Sequence, residues 1–185
     1  MTTLVLVHVI ISLIAIVAGV IVMFGLLGSR PMPGLTAIFL IFTILTSATG
    51  FVIPPLITEK VLPSQIIGGL SLVLLAIACI ALYAMQLKGA WRPIYVVTAM
   101  VSLYLNVFVL VIQSFLKIPA LQALAPAVPP NPPSGPVFGA VQGIVLVFFA
   151  VMIIGAWRRF GRFVRGREGR WELRCLVRES RENRC

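Results

Sequence analysis

Hydrophobic residues fall in five long runs, at residues 4–27, 35–53, 65–87, 94–116 and 137–157, and the polar positions within them carry the information. Each run reaches or approaches the ~20 helical residues needed to cross a hydrocarbon core. They predict an all-α membrane protein, a five-transmembrane-helix bundle in residues 1–157 followed by a tail of residues 158–185. Only the fourth run carries a polar stripe from end to end. At about 100° per residue, Tyr95, Thr98, Ser102, Asn106, Gln113 and Lys117 fall within a sector of roughly 100°. Lipid cannot hydrogen-bond an amide, so that face must meet protein or water. The fourth helix is therefore expected at the centre, its stripe packed against helices one, two and five.

The other runs have faces of their own. In the first, His8, Ser12, Ala15 and Gly19 share one side, where small residues let a neighbouring backbone approach and carry His8 inward. Met1, Thr2 and Thr3 supply no positive charge and no A-x-A cleavage pattern follows, so this run is read as a permanent helix rather than a cleaved signal. Residues 28–34 form a short turn with breakers at both ends. In the second run Thr36, Thr43, Ser47 and Gly50 line one face with Thr46 at its edge, and Pro54-Pro55 should end the helix. Pro63-Ser64 opens the third, which brings Gly68, Gly69 and Ser71 and is expected to end at residues 86–88, before Trp91 and Arg92 anchor the interface and Pro93 starts the fourth helix. In the fifth run Gly139 and Gly143 bracket Gln142, a small-x-x-x-small spacing that suits helix packing, within the chain in preference to a seam between copies. The proline-rich connection before it should make a short interfacial turn at residues 119–124 and then run as an extended, polyproline-like spacer.

Composition agrees with the pattern: 60% of residues are hydrophobic, 11% are charged, and the mean hydropathy is +1.09, which excludes a soluble domain of ordinary kind. The cations set an orientation. Alternating from the N-terminus, one side receives Arg30, Lys88, Arg92 and the ten arginines of the tail, and the other receives Glu59, Lys60 and Lys117. Positive charge stays inside, which predicts an external N-terminus, a cytoplasmic C-terminus and an odd number of crossings in a multi-pass protein of the cell inner (plasma) membrane. The net charge of +10 is mostly local, since residues 158–185 hold ten Arg and four Glu. That tail is read as disordered chain held to anionic lipid headgroups, not as a nucleic-acid partner, because no nucleic-acid fold accompanies the arginines. Cys79 lies in a helix and Cys175 and Cys185 in the tail, a set that suits neither a disulfide framework nor a zinc site.

Depth brings the candidate chemistry together. At about 1.5 Å per residue, His8, Ser47, Gln113 and Gln142 each lie roughly 6–9 Å inside the outer end of their helix. Thr46 and Ser71 share that level, and Ser12 and Asn106 lie a turn or two deeper. If these faces converge, His8, Ser12, Ser47, Asn106, Gln113 and Gln142 line a small polar pocket open to the outside. The plainer and commoner reading makes them interhelical glue, about 0.6–2 kcal/mol per bond. Lys117 and Arg92, at the two ends of the stripe, are read as snorkelling to the interfaces. The chain has no Asp, and no Glu within a predicted helix, which argues against an ion-coupled pump. One histidine cannot supply both axial ligands of a bis-histidine haem, and no Ser-His-Asp set, H-E-x-x-H or Walker loop occurs. Neither cofactor nor metal nor catalytic residue is therefore expected. These readings favour a non-enzymatic membrane component, either an accessory or assembly subunit or a small binding protein with an outward-facing polar pocket. The alternatives are a small oligomeric transporter for a neutral or weakly polar solute and, more remotely, a haem or quinone redox protein. Besides the lipid bilayer, a homo-oligomer or a membrane-protein partner stays open.

The stretches TSATGF in the second run and GAWRPIYVVTAMVSLYLNVFVLVIQSFLK followed by IPALQALAP resemble a group of small bacterial integral membrane proteins. The resemblance extends over most of residues 5–157 and leaves out the arginine-rich tail. It implies a bacterial inner membrane and carries no activity with it.

Overall fold

The structure, a computed structural model, describes residues 3–28, 30, 32–52, 63–125 and 133–158. The regular elements among them are all helical: α1 (Thr3–Leu27), α2 (Pro33–Val52), α3 (Pro63–Cys79) continuing into a π-helical segment (Ile80–Ala84), α4 (Trp91–Lys117), a single turn α5 (Pro119–Gln122) and α6 (Pro136–Arg158). Five of these, α1, α2, α3 with its π segment, α4 and α6, are long and apolar enough to cross a membrane. The expected stop at Pro54-Pro55, the extended spacer over residues 126–132 and the tail from residue 159 onwards lie outside the described residues.

Two boundaries differ from the sequence reading, each for a backbone reason. Helix α4 begins at Trp91, two residues before Pro93. Proline is tolerated there because N–H groups of a first helical turn have no acceptor within their own helix. Helix α3 stops short of residues 86–88, although the apolar run continues. Its last turn widens so that Met85 N–H reaches Ile80 O at 2.9 Å, and Leu87 N–H then closes back onto Ala81 O at 3.0 Å. Gln86 and Leu87 take left-handed φ values of 48° and 55° to make that reversal, with the first glycine arriving only at Gly89. Arg92 Nε ties the turn down by donating to Leu87 O at 2.6 Å.

Helix α4 is the axis of the bundle. In its most apolar window 44% of residues are buried, against 11% for α6. It packs on α3 more extensively than on α1 or α2, and α3 was missing from the expected set of neighbours. Helix α6 docks on another side of α4 through two edge-to-face aromatic pairs, Tyr104 with Phe149 at 5.7 Å and Phe115 with Phe138 at 5.4 Å. Both pairs are eleven residues apart on each helix, which fixes an antiparallel register. The rest of α6 faces outward, with Ile144 70% exposed and Val147 and Val151 close behind. Such apolar surface suits lipid.

The bundle divides along its length. The tightly buried side chains sit in the C-terminal halves of α1 and α3 and the N-terminal halves of α2 and α4: Val22, Met23, Phe39, Leu40, Leu75 and Val96 are typical. Gly19 is where the helices come closest. A Cβ there would lie 2.5 Å from Leu103 Cδ1 and 2.8 Å from Phe39 Cδ2, so only glycine lets α1 seat against α2 and α4 at once. Gly139 and Gly143 behave differently, because nothing lies within 4 Å of a Cβ at either position. Their small-x-x-x-small face packs against nothing among the described residues. Helix α6 is held on α4 by its aromatic side chains and by Gln142, and the glycines make no contact close enough to require their small size.

Candidate binding cavity

The polar stripe of α4 changes character at its midpoint. Toward the packed half, Tyr95, Thr98 and Ser102 are buried. Thr98 Oγ1 donates to Ile94 O at 2.8 Å and Ser102 Oγ to Thr98 O at 2.9 Å, so both hydroxyls are satisfied by their own helix. Tyr95 bonds the Thr36 side chain on α2. Toward the other end the same stripe, now Asn106, Gln113 and Lys117, faces a cavity of about 530 Å³ instead of a neighbour. That volume lies within the ~300–1,000 Å³ typical of small-molecule sites.

Four helices wall the cavity at the end of the bundle where α1 begins. Helix α1 contributes His8 and Ser12, α2 contributes Thr46 and Ser47, α3 contributes Gln65 and Ser71, and α4 contributes Asn106, Gln113, Ser114 and Lys117. Aliphatic side chains such as Val9, Ile16, Ile67 and Val109, together with Phe51, fill the intervals. Five of the six residues singled out from the sequence, His8, Ser12, Ser47, Asn106 and Gln113, thus meet around one space. Gln142 does not. It lies on α6, where its Nε2 donates to Phe108 O at 3.2 Å and its Oε1 is buried with no partner among the described residues. Its depth matched that of the other five, but α6 packs on a different side of α4, and depth alone does not determine azimuth.

His8 is held in a defined state. Its Nδ1 lies 2.7 Å from Thr49 Oγ1, while that hydroxyl lies 2.7 Å from Leu45 O. The threonine has one proton, and Leu45 O can only accept, so the hydroxyl donates to the carbonyl and accepts from Nδ1–H. Thr49 was not legible as a partner because its place beside His8 depends on the α1–α2 register. The TSATGF stretch was the available signal.

The hydroxyls divide in an informative way. Ser12, Thr46 and Ser114 each donate to a carbonyl of their own helix at 2.8–2.9 Å. Ser71 does not. It is 3% exposed, lines the cavity, and its Oγ has no hydrogen-bond partner among the described residues. Asn106 makes only a long contact, Nδ2 to Thr43 Oγ1 at 3.4 Å. Interhelical glue therefore accounts for His8–Thr49 and Tyr95–Thr36, and it leaves Ser71 unexplained. Lys117, read from the sequence as a snorkelling residue, stands in the cavity wall, one turn beyond Gln113. No cluster of metal-ligating side chains occurs among the described residues.

The fold and cavity define a class, a polytopic α-helical chain with five helices of membrane-spanning length and a polar-lined cavity at one end. No protein-family model, curated protein or solved structure matches the chain.

Proposed function

We propose that this chain is a small, non-enzymatic binding protein of a bacterial inner membrane, with its N-terminus and cavity mouth on the outer side. The observation that carries the reading is the convergence of α1, α2, α3 and α4 on one cavity into which Ser71 brings a hydroxyl with no partner among the described residues. A buried polar atom left unmatched costs about 1–3 kcal/mol, which favours an occupant able to match it. Orientation rests on the distribution of Lys and Arg, and the bacterial membrane rests on the resemblance noted above. The lack of Asp throughout and of Glu in any of the five helices is what favours binding over ion-coupled transport.

The test is native mass spectrometry of the gently extracted full chain, paired with Gln113→Leu. A reproducible non-lipid or single-lipid mass on the wild type, lost in the variant at unchanged yield of folded protein, supports binding. A bare wild-type chain, or a variant that loses stability but not ligand, returns these side chains to the role of glue. A transporter assembled from several copies is the second reading. It is favoured by the unoccupied Gly139/Gly143 face, and the same spectra report the number of subunits.

A further inference from the structure

The charge of the cavity wall narrows what it would take. Resting on the binding reading above, we propose that the ligand is a single-chain amphiphile with an anionic head, its charge at Lys117 and its body running inward along α4. Three observations converge on this.

First, Lys117 is the one formally charged side chain in the wall among the described residues. No carboxylate lines the wall among the described residues. A fixed cation at the mouth attracts anions and rejects cations. Second, the polar groups form a line. From Asn106 to Lys117 is eleven helical residues, about 16 Å, with Gln113 between, so the site suits an elongated molecule more than a compact one. Third, the inner wall alternates aliphatic side chains with hydroxyls and amides, and Ser71 supplies a buried donor that nothing among the described residues uses. An amphiphile with a polar atom on its body would satisfy all three.

The probes are decanoate, 1-decanol and decyltrimethylammonium, which share a chain length and differ in head charge. Each is titrated against the full chain in neutral detergent, and saturable one-to-one complexes are counted by native mass spectrometry. Wild type should hold decanoate at least tenfold more tightly than decanol and should hold the cation least. Lys117 is exposed at a helix end, so Lys117→Gln should fold normally and bring decanoate within about threefold of decanol, while Lys117→Arg keeps the preference. Equal affinity for decanoate and decanol in the wild type, or a preference that survives Lys117→Gln, overturns the anionic head and leaves the cavity reading standing. If none of the three probes binds, both fall. A lysolipid or fatty-acid mass already present on untreated protein would identify the bilayer as the source, and a carboxylate acquired only on addition would identify the aqueous side.

Discussion

Gln142 on α6 and Phe108 on α4 are joined across the bundle by a bond from the glutamine Nε2 to the phenylalanine carbonyl at 3.2 Å, which satisfies the donor end of the amide and leaves its oxygen buried with no partner among the described residues. Half of the side chain is thus anchored and half is unmatched. Replacing Gln142 with Leu removes both groups together, and the loss of one interhelical bond, ~0.6 kcal/mol, is offset by relief of the unmatched oxygen. Thermal unfolding in detergent should shift little, and ligand retention should be unchanged. Loss of ligand equal to that of Gln113→Leu would mean that Gln142 reaches the cavity after all.

Thr49→Val keeps the shape of the side chain and removes the acceptor for His8 Nδ1–H. The expected cost is about 0.6–1.7 kcal/mol, the range measured for hydrogen bonds between membrane helices. Hydrogen exchange should accelerate at the start of α1 and not at its end, where the helix is held by buried apolar contacts. Uniform acceleration along α1 would contradict a local role for this bond.

Glycine positions make a matched pair of tests. Gly19→Ala places a methyl group against Leu103 and Phe39, both nearly fully buried, and should destabilise by about 1–3 kcal/mol through overpacking. Gly139→Ala and Gly143→Ala meet open space within the chain and should leave monomer stability within ~0.5 kcal/mol. Should the second pair instead lower the subunit count in native mass spectra, that face is a seam between copies.

At the turn after α3, Gln86 is exposed and holds a left-handed conformation that costs an ordinary residue about 1–2 kcal/mol. Gln86→Gly should therefore raise the unfolding temperature measured by circular dichroism. A fall would show that the turn does not constrain this residue.

The number of long helices, their approximate spans and the inward faces of α1 and α2 were legible because each depends on local periodicity within one run. His8, Ser12, Thr43 and Ser47 follow from 3.6-residue spacing alone. What the sequence left unread depends on relations between runs. Which side of α4 receives α6 is settled by the Tyr104–Phe149 and Phe115–Phe138 pairs, and aromatic residues in an apolar run look the same facing protein or lipid. Gln142 was grouped with the cavity for that reason. Lys117 was assigned to the interface because a lysine at a helix end ordinarily reaches for headgroups, and only the splay of the neighbouring helices gives it a wall to stand in. The early stop of α3 was hidden by an apolar run that continues past the last regular turn.

Gly19 also lies just below the cavity, whose α1 lining ends at Ile16. The helices are pressed together there, and His8 stands eleven residues farther along α1, a lever arm of about 16 Å. A tilt of roughly 5° about that fulcrum carries His8 by about 1.4 Å, given the ~1.5 Å rise per residue. A side chain at Gly19 would therefore act on the cavity wall through the tilt of α1, without lining the cavity itself.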